Sequence, residues 1–350
     1  MKWTAILKMI LTATAFFSMT HSAVAQSERV FPELRPPTDT AKDIRVIGFA
    51  GGFNLPIWVA ERQGFFADEG LKVSLDFTPG STYQMSNLIA GNYDVAMTTF
   101  DNVIAYREGQ GEAWIPPGQK IDVVSVLASD NGFLSISAQP DVESIAALKG
   151  RTITVDAMTT GFAFVMREML ARNGVEESSV KFERAGGVAS RYRDMLTDKS
   201  HAATIQMTPF DLLGQAAGLR TLARVSDELG PYQGMTAAVS RSWAQQNRQS
   251  VVDFIRAYRK AIDWLYNPQN RQVAEAILVA NAGASMTPAL AKGTLDIMLT
   301  PETGFFRDSA LHPEGMKLVL ALRSKYGIPA RTLSDPEPYL DLSFYQQANM

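Results

Sequence analysis

Cysteine is absent from the 350 residues, and histidine occurs only three times, at His21, His201 and His312. Without cysteine there is no disulfide, no thiolate nucleophile and no thiolate-bound metal. Histidines this scattered, with no His-x-x-x-His spacing and no carboxylate cluster, offer little for a zinc site or a Ser-His-Asp triad. Neither a metal nor a cofactor is expected. Positive charge is not in excess either: 33 Lys plus Arg face 36 Asp plus Glu, a formal net charge of −3. A nucleic-acid partner wants a basic face, so none is expected.

Long apolar runs are confined to the N-terminus. Lys2 and Lys8 are followed by the largely apolar stretch Met9 to Met19, and Ala23-Val24-Ala25 stands before Gln26 with small-x-small spacing. The run is short for a bilayer core of about 30 Å, and the pattern is that of a secretory signal. Residues 1–25 are expected to be a signal peptide cleaved after Ala25, with a buried N-terminal helix as the alternative. The exported chain would be periplasmic, without a lipid anchor. It would keep 31 basic and 36 acidic residues, a net charge of −5, because Lys2 and Lys8 are lost. Its remaining 325 residues exceed what one hydrophobic core usually supports, which favours two lobes.

Residues 26–43 are Pro-rich and polar and read as a flexible leader. From Ile44, short apolar runs alternate with helical patterns. IRVIGFA, LKVSLDF, YDVAM, IDVVSVLA and FLSISA read as strands, followed by TITVDA, SVKFER and HAATIQM. Strands alternating with helices predict an α/β fold with parallel sheet and helical crossovers. After Trp243 only helical patterns remain. The last 20 residues, 331–350, carry prolines and scattered aromatics and read as an extended tail on a lobe surface.

The tetrapeptide A-M-T-T occurs twice, at 96–99 and at 157–160, each time between a strand and a helix. Its surroundings do not align, so what the copies share is position: the carboxyl end of a parallel strand. Ligands of open α/β sheets bind outside such ends, and helix starts offer free N–H groups and a positive dipole end. Thr98 and Thr159 are alternatively helix caps, with the methionines in the core.

PIWVAERQGFFADEGLKVSL resembles the "A-x-x-x-G-(Y/F)-F-x-x-E-G-L-x-V" segment of the NMT1/THI5-like periplasmic solute-binding proteins for nitrate, sulfonates, taurine and the thiamine pyrimidine precursor. LIAGNYDVA and ALKGRTITV resemble further family segments, in the family's order, so the likeness runs from Ile44 to Asn281. The resemblance implies a type II periplasmic-binding-protein fold: two lobes, each a mixed five-stranded sheet flanked by helices, joined by two crossing segments. Lobe 1 would comprise residues 44–130 plus 235–330 and lobe 2 residues 131–234, with crossings near Asp130-Asn131-Gly132 and Tyr232-Gln233-Gly234. It further implies a monomer that captures a small-molecule ligand by lobe closure and delivers it to an ABC permease and ATPase in the inner membrane. An enzyme of the same fold acting on a pyrimidine or sulfur compound, or a solute sensor for a membrane kinase, are the other functions weighed.

On that fold the strand-end residues become candidate ligand contacts. Lobe 1 supplies Phe49, Phe53 and Asn54, then Ser81 and Thr82, then Thr98, Thr99, Phe100 and Asp101. Lobe 2 supplies Met158, Thr159, Thr160 and Gly161, then Gln206, Met207 and Thr208. This set holds aromatics, hydroxyls and amides but no Lys or Arg. It points to a small organic solute with an aromatic or heterocyclic part, although a sulfonate or carboxylate fits the helix start at Thr159–Gly161. Asp101 either accepts from such a solute or caps its own helix, and Asn54 is expected to cap the helix that follows it. Arg184, Arg191 and Arg193 read as a solvated face. Arg191, following Gly186-Gly187, is the one with a route into the cleft.

Overall fold

The computed structural model describes residues 37–301 and 303–350. The expected signal peptide and residues 26–36 of the expected leader lie outside the described residues.

Among the described residues, ten strands form two five-stranded sheets with the same spatial arrangement. The first has the order β2-β1-β3-β10-β4, built from β1 (Lys42–Phe49), β2 (Leu71–Thr78), β3 (Val95–Thr99), β4 (Val123–Ala128) and β10 (Met235–Ser240). The second has the order β7-β6-β8-β5-β9, from β5 (Leu134–Ala138), β6 (Thr152–Val155), β7 (Lys181–Arg184), β8 (His201–Met207) and β9 (Arg220–Arg224). In each sheet four strands run in one direction and the strand arriving from the other lobe is antiparallel to both its neighbours: β10 pairs with β3 and β4, and β5 pairs with β8 and β9. β9 and β10 have no counterpart among the strands read from the sequence. Both are thus mixed sheets flanked by helices, as the resemblance implied.

The apolar runs account for the core. In the first sheet β3 and β4 are buried along their whole length, since helices cover both faces. Gly64 and Gly70 take positive φ and bracket the turn carrying Phe65 and Phe66. Phe66 is buried and stacks on Phe254 at 5.5 Å, so the family-like Q-G-F-F segment is core packing between this turn and the long Arg248–Tyr266 helix. Glu69 pairs with Lys260 at 2.6 Å on the rim of the same contact.

The segment 331–350 is not an extended tail. It makes a 3-10 turn over Glu337–Tyr339 and a helix over Ser343–Ala348. Leu340 bridges to Ser125 at the edge of β4, and Tyr339, Leu340, Phe344 and Ala348 are buried. Three of these recur at a spacing of four, enough apolar surface on one side to draw the segment onto the first lobe.

The chain passes between the sheets twice, from β4 to β5 and from β9 to β10, and the two passages are tied together. The Asp130 carboxylate accepts from Gly132 N at 2.8 Å and from Met235 N at 3.1 Å, while its carbonyl accepts from Gly234 N at 2.9 Å. A Cβ at Gly234 would overlap the Gly132 nitrogen and the Asp130 carboxylate, so only glycine allows this approach. Burial pushes the Asp130 carboxyl up to about 6, against the two N–H groups that pull it down. The folded protein thus holds this proton to higher pH than the unfolded chain, whose aspartates titrate near about 3.9. The group's contribution is therefore most favourable below that value and is lost as pH rises through about 6, by roughly 3 kcal/mol in total. Asp130→Asn should remove that slope. Denaturant titrations of wild type and variant from about pH 4 to 7 check it, and parallel stability curves would contradict it.

Candidate functional site

The carboxyl ends of β1 and β3 face those of β6 and β8 across a narrow cavity. The first lobe contributes Phe49, Thr99, Asn102 and Met235, and the second contributes Asp156, Thr160, Gly161, Phe162, Val188, Arg191 and Met207. Five of the candidate contacts, Phe49, Thr99, Thr160, Gly161 and Met207, therefore line it.

The other candidates lie elsewhere. Phe53 is buried, and Phe100 is buried edge-on to Tyr339 at 6.4 Å. The Asn54 side chain donates backwards to the carbonyls of Phe49 at 2.7 Å and Gly51 at 2.8 Å, so it braces the loop after β1 instead of capping the next helix. Thr98 accepts from Asn102 Nδ2 at 2.9 Å, and the Met158 carbonyl accepts from Arg167 at 2.7 Å. Thr82 is half-buried at the start of the Ser81–Ile89 helix. Gln206 and Thr208 are buried, and the Gln206 amide atoms have no protein partner. No threonine of either A-M-T-T copy caps a helix with its hydroxyl: Thr99 and Thr160 hold the cap positions without a side-chain bond, and Thr160 Oγ1 donates to the Ala157 carbonyl.

The two copies are nevertheless joined. Asp101, two residues after the first, accepts from the Gly161 N–H that follows the second, at 2.6 Å. Its carboxylate also receives Arg323 through Nε at 2.6 Å and Nη2 at 2.9 Å, and both side chains are fully buried. Asp101 thus neither caps its own helix nor stands free for a solute. Arg323 also donates to the Thr159 carbonyl and to Gln110 Oε1, and its guanidinium lies 4.8 Å above the Phe164 ring. It rides on the Pro313–Tyr326 helix, which packs against both the Phe100–Arg107 and Gly161–Arg172 helices. Buried beside them, the Tyr232 hydroxyl is pushed well above its usual titration range by burial and by the Asp101 charge.

Further bonds cross the cleft. Ser81 N donates to Asp156 Oδ2 at 3.0 Å, Gly187 N to the Pro79 carbonyl at 2.8 Å, and Thr159 N to Glu112 Oε1 at 2.7 Å. Glu112 also pairs with Arg184 at 2.8 Å. The structure is a closed one.

A basic side chain does line the cavity. Arg191, on the Val188–Thr197 helix, is only 2% exposed. It donates to Thr204 Oγ1 at 3.0 Å, to the Gly186 carbonyl at 2.7 Å and to the Ile205 carbonyl at 3.1 Å. Burial lowers its pKa to about 10, with Asp156 pulling the other way. It is not part of a solvated face, and the expectation of a site without Lys or Arg does not hold. Asp156 was discoverable, as the last residue of the TITVD run and hence a strand-end carboxylate. Asn102 and Phe162 sit in the first turns of helices already placed at the cleft. Met235 was not discoverable without β10.

His201 and His312 lie away from the cavity. His201, at the start of β8, is held by Asp194 at 2.6 Å and Glu183 at 3.2 Å, and His312 Nδ1 accepts from Gly315 N at the start of the Pro313–Tyr326 helix.

The family model described as NMT1/THI5 like matches residues 54–271. YtlA of Bacillus subtilis strain 168, a candidate binding protein, is 24% identical over 231 residues, which cover 64% of this chain and 66% of YtlA, just under two thirds of its length. Among solved structures, the periplasmic nitrate-binding protein NrtA from Synechocystis PCC 6803 superposes with a TM-score of 0.75 at 14% identity, covering 89% of each chain. The alkanesulfonate-binding protein SsuA from Xanthomonas axonopodis pv. citri bound to MOPS gives 0.68 at 16% identity, over 87% of this chain and 99% of that one. At these identities the two structures establish a shared fold.

Proposed function

This chain belongs to the NMT1/THI5-like family, and from that premise we propose that it is the periplasmic substrate-binding subunit of an ABC importer, working as a monomer. It captures a small organic solute between its lobes and presents the closed form to a permease and its ATPase. The observation that carries this is the cavity lined from both sheets, with hydrogen bonds from one lobe to the other on its walls. Closure around a solute is the way such two-lobed folds couple binding to a change of shape. Phe49, Phe162, Val188, Met207 and Met235 suit an apolar or ring-shaped body, and Thr99, Asn102 and Thr160 supply polar contacts. Binding rather than turnover is favoured because neither His201 nor His312 lines the cavity and no thiol exists in the chain.

The test is a melting screen of the protein lacking residues 1–25 against organic acids, amides and heterocycles, followed by solution scattering. A true solute at about 100 times its Kd should add roughly 2.7 kcal/mol of stability and shrink the radius of gyration. A solute that binds tightly without compaction would refute closure as the working step.

A further inference from the structure

We infer that Glu112 is a built-in clasp that draws the lobes shut, a positioning residue for solute capture that acts without touching the solute. This rests on the closure proposed above and names a residue that controls it. Glu112 stands between the Phe100–Arg107 helix and β4 and is not one of the residues lining the cavity. Its carboxylate reaches into the opposite lobe. Oε1 accepts from Thr159 N at 2.7 Å, and Oε2 accepts from Arg184 Nε at 3.1 Å and Nη2 at 2.8 Å. Arg184 ends β7, the edge strand of the second sheet. Thr159 directly precedes Thr160 and Gly161, which do line the cavity. Seating Glu112 on Thr159 therefore sets those two with no contact to the guest.

The first lobe holds this carboxylate ready. Gln110 N and Gly111 N both donate to the Ala105 carbonyl, at 2.7 and 3.1 Å, and Ala113 N donates to the Tyr106 hydroxyl at 3.2 Å. The buried Gln110 side chain accepts from Arg323 and donates to the Pro329 carbonyl. A Cβ at Gly111 would come within 2.8 Å of the Tyr106 ring, so glycine lets the segment press flat against it. These anchors flank residue 112 and belong to the first lobe, so they persist when the lobes part, and a group placed in advance costs less to order on closing. Arg323 takes the Thr159 carbonyl, so that residue is gripped from the first lobe through both its N–H and its C=O. The Glu112 side chain is 18% exposed and that of Arg184 59%. An ion pair half open to water adds little by itself, whereas an N–H donating to a shielded carboxylate is a stronger bond. The clasp is thus strong enough to bias the lobes and weak enough to release them.

The lack of cysteine makes the test direct: Lys72→Cys and Lys199→Cys, one exposed position on each lobe, carry a donor and an acceptor dye. Single-molecule energy transfer is read on the protein lacking residues 1–25, refolded from denaturant to remove retained solute, with none added. Wild type should show a compact population beside an extended one, and Glu112→Ala should lower their ratio at least about 10-fold. Glu112→Gln, which still accepts from Thr159 N but carries no charge, should fall between. Arg184→Gln attacks the clasp from the other lobe and should lower the ratio about 3-fold. Raising NaCl from about 0.05 to about 0.5 M should lower the wild-type ratio and leave that of Glu112→Ala flat. Glu314→Gln, which breaks a pair within one surface helix, is the control and should change nothing. A single extended population in wild type, or a compact fraction that Glu112→Ala leaves intact, would overturn the clasp while leaving solute capture, which the melting screen reads separately. A solute that binds without compaction would remove closure itself, and the clasp with it.

Discussion

Arg323→Met should lower stability by about 3–5 kcal/mol and the melting temperature by on the order of 10 °C. The variant strands the Asp101 carboxylate in a fully buried position with the Gly161 N–H as its remaining partner in the pair's place. A buried ion pair is weak evidence of net stabilisation, but removing one partner exposes the whole desolvation cost of the other. The same variant severs the bond to the Thr159 carbonyl, so the Pro313–Tyr326 helix loses its grip on the second lobe. Asp101→Leu combined with Arg323→Met should recover part of the loss, since no lone charge is then left inside. A thermal-unfolding double-mutant cycle measures this directly. A single variant melting within a degree or two of wild type would show that the pair is dispensable.

A larger functional loss is expected from Gly161→Val, with far less damage to the separate lobes. A Cβ at this position would run into the Asp101 carboxylate and come within 2.6 Å of the Tyr232 hydroxyl. Those atoms belong to the opposite lobe and to a crossing segment, so the steric conflict arises on closing. Solute affinity should fall at least about 100-fold, and scattering should show no compaction on adding the solute that compacts wild type. Gly293→Ala is the control. Its Cβ would meet nothing nearer than Leu212 at 3.7 Å, and alanine in the Pro288–Met298 helix should be neutral or slightly stabilising. Unimpaired binding in Gly161→Val would mean that the start of the Gly161–Arg172 helix does not seat in the functional closed form.

Much of this architecture can be seen in single residues. β1, β3 and β8 announce themselves as apolar runs, and β8 matches HAATIQM from end to end. β10, MTAAVS, is central in its sheet yet carries two alanines, a residue with little strand preference, and β9 is the polar RTLAR. What makes them strands is the vacant hydrogen-bonding edges of β3, β4 and β5, which no local pattern reports. The C-terminal segment offered a signal that composition obscured: Leu340, Phe344 and Ala348 recur every four residues among prolines and polar groups.

The candidate contacts divide along the same line. Strand-end position located the cleft and five of its lining residues, because in a parallel sheet the chain direction alone decides which loops gather at one end. It could not say which side chains there are already engaged. Asp101 is occupied by an arginine 222 residues further along the chain, and Arg191 enters the cavity because its helix packs on β8 with Thr204 beneath it. Local pattern carries period and polarity, and these suffice for elements, their order and the address of the cleft. Partnership between charges is a matter of distance in space, so it appears only once the lobes are folded against each other.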